Sequence, residues 1–241
     1  MEARIHKEMA KVEGEHWWFL ARANIVNHLI EKYFKNKNDL KILEIGCGSG
    51  GNFNYLKDWG EIYAIEPDKF AFSVAKKKGL TKLIINDYFD KKYFQKNKFD
   101  LILLADVLEH IKDDKKILSE IKGLLSRNGI VLITVPAKKN LWSEHDIANH
   151  HFRRYEFSNL EKILKEKLDI QMINFMNFIL YLPILIVRRI KSNNISKASL
   201  KVPHPIINNL MYSIFSAEKF ILPMVRLPFG VSIIAICKAK K

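Results

Sequence analysis

Apolar runs alternate with stretches of helical periodicity through residues 42–135, and this order predicts the fold. The apolar runs of about three to six residues are typical of buried strands, and the stretches between them repeat at helical spacing. The predicted strands are residues 42–45, 62–65, 83–85, 99–104 and 130–135. Strands separated by helices pair in parallel through right-handed crossovers. We therefore predict an α/β protein with a Rossmann-like, doubly wound, mostly parallel sheet.

The flanking stretches add two strands and two helical regions. Residues 3–34 are predicted to be helical, and residues 170–175 and 231–236 to be strands. Between these two strands, residues 178–187 are apolar but too short to cross a membrane, which takes about 20 apolar residues. Residues 206–227 are apolar with scattered Lys and Arg, and so amphipathic. We predict three regions: N-terminal cap helices over 1–39, a main domain over 40–172 and 230–241, and a basic amphipathic insertion over 173–229 that associates with a membrane.

The positive charge is concentrated near the C-terminus. The chain has a net charge of +14, and residues 188–241 hold ten Lys or Arg against one acid, Glu218. Such a stretch indicates an anionic partner, either a membrane surface or nucleic acid. Its cations are interleaved with Ile, Leu, Phe and Met, which favours an anionic membrane over a phosphate backbone.

The cysteine content and the N-terminus bear on the compartment. Two cysteines, Cys47 and Cys237, do not make a disulfide framework, and the N-terminal residues show no signal peptide. We therefore expect a cytoplasmic protein that is peripheral on the inner face of the cell membrane. The oligomeric state is not predicted.

A glycine-rich loop between the first strand and a helix predicts a nucleotide-type ligand. Gly46, Gly48 and Gly50 fall at alternate positions, and Gly51 follows directly. Glycines here permit a tight turn and a close approach of the backbone to the ligand. Glu44 precedes them, and a carboxylate beside the loop suits a cationic ligand better than a pyrophosphate.

A second acid lies at the end of the second predicted strand. Glu66 stands twenty residues after Gly46. An acid at this position can accept both ribose hydroxyls of an adenosine moiety. The alternative is a solvated loop acid.

These features in this order resemble the class I S-adenosylmethionine-dependent methyltransferases. Acid-x-Gly-x-Gly-x-Gly over 44–50 resembles their motif I. Glu-His-Trp-Trp-Phe-x-x-Arg at 15–22 and Asp-Val-Leu-Glu-His at 106–110 resemble a bacterial and archaeal group often implicated in modifying surface glycans and lipids. The chain is also similar to ubiquinone-biosynthesis O-methyltransferases. The resemblance covers about residues 15–172 and 230–238.

The resemblance implies a seven-stranded sheet whose last strand is antiparallel, and S-adenosyl-L-methionine as the cofactor. The N-terminal arginine, the first loop glycine, the second-strand acid and the residue before Asp106 bind the cofactor in the ubiquinone enzymes, and an acid after the third strand commonly binds the adenine amino group. With the rest of the glycine loop, the predicted cofactor site is Arg22, Glu44, Gly46, Gly48, Gly50, Glu66, Asp87 and Ala105.

A magnesium ion has been linked to similar residues in the ubiquinone enzymes. The positions that match are Asp106, Glu109 and His110. The same residues occur in many relatives without a metal, so we predict no metal.

A polar, aromatic block over 142–155 follows the fifth strand and is predicted to face the acceptor. In open α/β sheets, ligands bind at the carboxyl ends of the strands. His145, His150 and then His110 are the candidates for a general base, because histidine titrates near neutral pH; each is equally suited to a structural role. The predicted acceptor-binding residues are Trp18, Trp142, Arg154 and Tyr155.

The predicted reaction is O-methylation of a small-molecule, lipid or lipid-linked glycan acceptor. An RNA methyltransferase is the first alternative, but residues 105–108 lack the Asn/Asp-Pro-Pro-Tyr/Phe motif of enzymes that methylate base amino groups, and no cysteine is placed for attack on cytosine. A non-catalytic cofactor-binding or membrane-tethered interaction module is the second. An NAD-dependent oxidoreductase is disfavoured by Glu44.

Overall fold

The computed structural model describes residues 3–35, 37–86, 97–191 and 201–240. Its centre is a seven-stranded sheet in the order β3-β2-β1-β4-β5-β7-β6, in which only β7 runs antiparallel to its neighbours. The strands are β1 Leu40–Ile45, β2 Gly60–Ile65, β3 Leu83–Ile85, β4 Phe99–Ala105, β5 Leu125–Pro136, β6 Leu168–Met176 and β7 Ser232–Ala239. The predicted fold class and the antiparallel last strand are confirmed.

The helices cover both faces and one end of the sheet. They are α1 Ala3–Val12, α2 Trp17–Phe34, α3 Phe53–Leu56, α4 Lys69–Lys77, α5 Asp114–Leu124, α6 Glu144–Ala148, α7 Phe157–Lys167, α8 Tyr181–Lys191 and α9 Pro205–Ile221. Short 3₁₀ helices lie at Leu108–His110 and Lys139–Leu141. Residues 101–104 of β4 are wholly buried, as expected for a strand covered on both faces.

The predicted helix over 3–34 is two helices. The break falls at residues 13–16, where His16 caps α2 by accepting a hydrogen bond from the backbone N–H of Trp18 at Nδ1, 3.2 Å away. A helix begins where a side chain satisfies its first free N–H groups. The three aromatic residues after His16 therefore form the first turn of α2, at the end of the helix nearest the glycine loop.

Buried polar side chains attach the insertion to the rest of the molecule. Asn208 of α9 accepts from the backbone N–H of Trp17 at 2.9 Å and donates to the carbonyl of Glu15 at 2.8 Å. Glu218, also on α9, accepts from the backbone N–H groups of Asn177 and Phe178 at 2.6 and 2.7 Å. The insertion thus binds both the start of α2 and the chain leaving β6.

The boundary predicted after residue 172 lies inside a strand. β6 continues to Met176 and pairs with β7 over its whole length. The alternation of apolar and polar residues that marks a strand ends there, because Phe175 and Met176 are consecutive and both buried. The insertion accordingly begins after Met176.

The outer face of the insertion is apolar. Its exposed large apolar residues are Ile179, Leu182, Ile186, Val187, Ile206, Ile207, Leu210, Phe220, Ile221, Met224 and Val225. Within the described ranges, none of the helices has the length and apolar character needed to cross a membrane.

Candidate functional site

A cavity of about 1050 Å³ opens at the carboxyl edge of the parallel strands. The loops after β1, β2, β4 and β5 form its floor, and α2, α6 and α8 contribute side chains to its walls. In the sheet, β1 and β2 lie on one side of β4, and β5 lies on its other side. The cavity therefore has two ends: a glycine-loop end, and an opposite end formed by residues 145–154 and α8.

The glycine loop requires glycine for two different reasons. Gly46 has φ of +68°, and a Cβ there would lie 2.7 Å from Cγ2 of Val107. Gly50 has φ of +79°, and its Cβ would lie 2.5 Å from the ring of Phe53. Gly48 has φ of +56° and no neighbour within 4 Å of the Cβ position, because it lines the cavity. Gly46 and Gly50 shape the loop, and Gly48 leaves space for a ligand.

Glu66 lies beside this loop and is held in place by it. Its Oε2 accepts from the backbone N–H of Gly48 at 2.7 Å, and its Oε1 accepts from the N–H of Asp68 at 2.8 Å. Burial raises the pKa of Glu66, against these two hydrogen bonds. The side chain lines the cavity with lone pairs still available on both oxygens.

Glu44 lies behind the loop and does not line the cavity. It is buried, and its Oε1 accepts from Nδ2 of Asn52 at 2.6 Å, while Oε2 has no partner among the described residues. Burial raises the pKa of Glu44 to about 8, despite the hydrogen bond from Asn52. Glu44 is therefore not placed for the predicted contact with a cofactor, because Asn52, and not Glu44, lines the cavity.

Arg22 and Ala105 line the middle of the cavity. The Arg22 guanidinium forms an ion pair with Asp106, at the start of the loop after β4. Asp106 has φ of +58° and accepts from Oγ1 of Thr134 at 3.0 Å. Arg22 thus places a cation between the glycine-loop end and the opposite end of the cavity. The predicted adenine-binding Asp87 lies outside the described residues.

The three predicted bases all line the cavity. Burial lowers the pKa of His145 to about 4, with Arg188 adding to the effect, which makes this imidazole a weak proton acceptor. His150 has φ of +55°, and the His110 ring packs edge-on against His151 with centroids 4.6 Å apart. The three histidines therefore lie in different surroundings, although all of them line the cavity.

His151, which the sequence prediction missed, is oriented by a buried carboxylate. Its Nδ1 lies 2.9 Å from Oδ1 of Asp146, and the ring lines the cavity. Arg154 also donates from Nε to this carboxylate at 2.8 Å. Burial favours the neutral carboxyl, but the His151 and Arg154 contacts outweigh it and hold the pKa of Asp146 below its usual range.

One cluster has the ligand types that a metal ion would accept. Glu109, His110 and His151 each offer a ligand atom, and these atoms lie within 4.8 Å of one another. Neither carboxylate oxygen of Glu109 has a hydrogen-bond partner among the described residues, and burial first, then Asp106, raises its pKa well above the usual range. We assign no metal to this cluster.

The predicted acceptor residues divide into two groups. Trp18 and Arg154 line the cavity. Trp142 is 41% exposed and Tyr155 is buried, and neither lines it. The Tyr155 hydroxyl lies 3.0 Å from Oδ2 of Asp114, so this side chain joins the block to the start of α5. The structure does not place Trp142 and Tyr155 at the predicted acceptor site. In an irregular segment, neighbouring residues point in different directions, so not all of them can face the cavity.

Helix α8 supplies wall residues that the sequence did not predict. Ile184 and Arg188 line the cavity, although α8 belongs to the insertion. They stand four residues apart and so share one face of the helix. The sequence shows Arg188 at the end of an apolar stretch, but only the packing of α8 shows that this arginine faces the cavity.

Part of the chain matches a known family. Residues 43–133 match the family described as a methyltransferase domain. This segment contains the glycine loop, Glu66 and the motif at 106–110, which together form the glycine-loop end and middle of the cavity. Residues 43–133 therefore resemble a methyltransferase domain, in agreement with the predicted enzyme class.

Individual relatives are distant. An uncharacterised protein of Methanocaldococcus jannaschii is 34% identical over 116 residues, 48% of this chain and 49% of that protein. A ubiquinone biosynthesis O-methyltransferase of Pelagibacter ubique is 32% identical over 103 residues, 41% of this chain and 43% of that enzyme. The chain thus spans about half the length, or less, of these two relatives, and the reaction of the whole protein is a matter for proposal.

A solved structure extends the likeness of fold to nearly the whole chain. The plantazolicin methyltransferase BpumL, in complex with SAH (S-adenosylhomocysteine), superposes with a TM-score of 0.61 at 16% identity, over 97% of this chain and 88% of that one. At this identity the likeness shows the fold alone.

Replacing Glu44 by Gln is expected to flatten the dependence of stability on pH. The folded pKa is raised to about 8 from an ordinary value of 4.5, so this contribution to stability is complete below pH 4.5 and is lost as the pH rises through 8. Relative to the variant, the wild-type free energy of unfolding should fall by on the order of 2–4 kcal/mol between pH 5 and pH 9. Urea denaturation at each pH measures it.

The matched control is Glu31→Gln, a carboxyl on α2 whose side chain is 63% exposed. Its stability should stay parallel to that of the wild type across the range. A constant difference between wild type and the Glu44 variant would contradict the shifted pKa.

Proposed function

We propose that this protein is an S-adenosylmethionine-dependent methyltransferase that methylates a hydroxyl group of a small-molecule, lipid or lipid-linked glycan acceptor. The observation that carries the proposal is the pairing of Glu66 with the amide of Gly48 at an open cavity wall. The motifs at 15–22 and 106–110 support the resemblance to the bacterial and archaeal group often implicated in modifying surface glycans and lipids. The chain is also similar to ubiquinone-biosynthesis O-methyltransferases. Oxygen as the target atom rests on that resemblance.

The glycine-loop end fits the cofactor. The missing Cβ of Gly48 leaves room at the loop, and the fixed Glu66 carboxylate can accept hydroxyl donors. When bound, the cofactor supplies a sulfonium methyl group that is already activated for in-line displacement. The chain then has to hold the acceptor oxygen close to the methyl carbon and in line with it, which by itself gives a large rate advantage.

We expect the wild type to bind S-adenosylhomocysteine with micromolar affinity and NADH at least tenfold more weakly, in calorimetric titrations. Glu66→Ala should weaken S-adenosylhomocysteine binding by about tenfold or more, because hydrogen bonds to a charged group contribute about 1.5–3 kcal/mol. The control is Glu61→Ala, an acid on the same strand that pairs with Lys82 at the surface.

If the folded wild type binds neither compound, the cofactor site is degenerate and the interaction-module alternative takes its place. Preferential binding of NADH would favour the oxidoreductase alternative. Methyl transfer to RNA and not to lipid or glycan would favour the RNA methyltransferase alternative.

We propose His151 as the general base, ahead of His145, His150 and His110. A hydrogen bond from Nδ1–H to Asp146 leaves Nε2 as the proton acceptor, because a neutral imidazole carries one proton. Asp146 is then a positioning residue. The ring lines the cavity, where a bound acceptor hydroxyl can reach it.

His151→Ala should reduce methyl transfer about a hundredfold, the lower range for general-base catalysis, with S-adenosylhomocysteine affinity unchanged. His145→Ala should have a smaller effect, because its pKa of about 4 makes it a weak base. The assay is transfer of labelled methyl from S-adenosylmethionine into lipid and lipid-linked glycan extracts. Equal losses in the two variants, or none in the first, would remove His151 from this role.

We further propose that the protein is cytoplasmic and peripheral on an anionic membrane, through the outer face of the insertion. Leu182 and Ile186 on α8 are both 56% exposed, and Lys201 and Arg226 of the insertion are exposed as well. Glu218 is the only acid of residues 188–241 and is buried against backbone N–H groups. The described outer face therefore offers apolar and cationic groups, as interfacial binding requires.

The double variant Leu182→Asp, Ile186→Asp should lose at least about tenfold in binding to vesicles of phosphatidylcholine with phosphatidylglycerol, since it removes apolar contact and adds negative charge. Co-sedimentation measures the binding. Ile147→Asp, at an apolar residue of α6 that is 53% exposed, is the matched control. Equal binding by the double variant and the wild type would reject the membrane surface.

A further inference from the structure

Two guanidinium groups face the end of the cavity opposite the glycine loop. Arg154 and Arg188 both line the cavity, and both approach one carboxylate. Arg154 Nε lies 2.8 Å from Oδ1 of Asp146, and Arg188 Nη1 lies 3.8 Å from its Oδ2. The Asp146 side chain is wholly buried and does not line the cavity. The cavity thus meets the cations and not their counter-ion.

Both guanidiniums keep donors that the described contacts do not use. Each has five N–H groups. Arg154 donates from Nε to Asp146 and from Nη1 to the carbonyl of Ala137 at 3.0 Å. Arg188 donates from Nη1 to the carbonyl of Leu141. These backbone contacts fix the two groups in position while leaving hydrogen-bonding capacity toward the cavity.

The surrounding charges leave an excess of positive charge. Burial, Arg188 and other neighbours lower the pKa of His145 to about 4, so it is neutral at pH 7. Burial raises the pKa of Glu109 well above its usual range, which weakens its ability to neutralise a cation. Burial first, and then Arg154, lowers the pKa of Arg188 to about 10, still charged at neutral pH. Among the described residues, Asp146 is the acid that approaches both guanidiniums within 4 Å.

An apolar wall adjoins these cations. Ile184 stands one turn before Arg188 on the same face of α8 and also lines the cavity. The opposite side of α8 exposes Leu182 and Ile186 to solvent. A molecule that enters along α8 would meet an apolar side chain beside a cation.

We infer that the acceptor carries a phosphate group next to an apolar chain, and that Arg154 and Arg188 bind this phosphate. Guanidiniums on two separate elements can donate to different oxygens of one tetrahedral oxyanion. This inference rests on the proposed function, because it assumes that the acceptor enters this cavity. It adds to that function the chemical class of the acceptor.

The test measures binding of octyl phosphate, octanoate, inorganic phosphate and 1-octanol by calorimetry, with the full chain loaded with S-adenosylhomocysteine. Octyl phosphate should bind at least tenfold tighter than octanol. Arg188→Gln should weaken octyl phosphate binding about tenfold, the loss expected for one charge-assisted hydrogen bond of about 1.4 kcal/mol. The matched control is Arg189→Gln, the exposed neighbour on the same helix, with a change below about twofold.

Octyl phosphate binding that is the same in wild type and Arg188→Gln, or no tighter than octanol binding, would overturn the inference. Inorganic phosphate binding as tightly as octyl phosphate would support phosphate recognition and assign the phosphate to a water-soluble acceptor. Octanoate binding as tightly as octyl phosphate would overturn the choice of phosphate. If the wild type does not bind S-adenosylhomocysteine, the proposed function itself is wrong. The calorimetry measures this binding separately from the binding of octyl phosphate.

Discussion

The buried carboxylate of Asp146 determines the arrangement of the end of the cavity opposite the glycine loop. It accepts from the backbone N–H of Ser143, contacts the His151 ring and pairs with Arg154. Arg188 approaches the same group from another part of the chain. Removing one partner of a buried ionic group is costly, because it leaves the others without compensation. The segment at 142–155 and helix α8 therefore take up their positions together.

The glycine-loop end depends on a different contact. Glu66 ends β2 and bonds to the amide of Gly48 after β1, so two adjacent parallel strands fix the glycine loop. The two ends meet at the loop after β4, where Asp106 pairs with Arg22. The proposed transfer of a methyl group needs cofactor and acceptor to be held in line, and the shared edge of one sheet brings the two ends of the cavity together.

The insertion completes the cavity wall and exposes its apolar side outward. Asn208 caps the start of α2, and the Phe215 ring packs against those of Trp17 and Trp18 with centroids 6.2 and 5.3 Å apart. Residues about 190 positions apart thus shape one wall. Helix α8 borders both the cavity and the outer apolar face. It therefore connects the proposed acceptor site with the proposed membrane-binding surface.

The sequence by itself determined the sheet, the glycine loop and the position of Glu66, because these follow from local periodicity, turn geometry and the end of a strand. Only the tertiary structure decided which histidine meets a carboxylate, that Tyr155 turns to Asp114, that Glu44 lies behind the loop, and that Arg188 reaches the cavity. The contacts of Tyr155 and Arg188 join residues 41 and 47 positions apart, whereas those of His151 and Glu44 depend on the irregular backbone between the partners. Periodicity specifies which face of a regular element is buried, but long-range packing determines what an irregular segment meets.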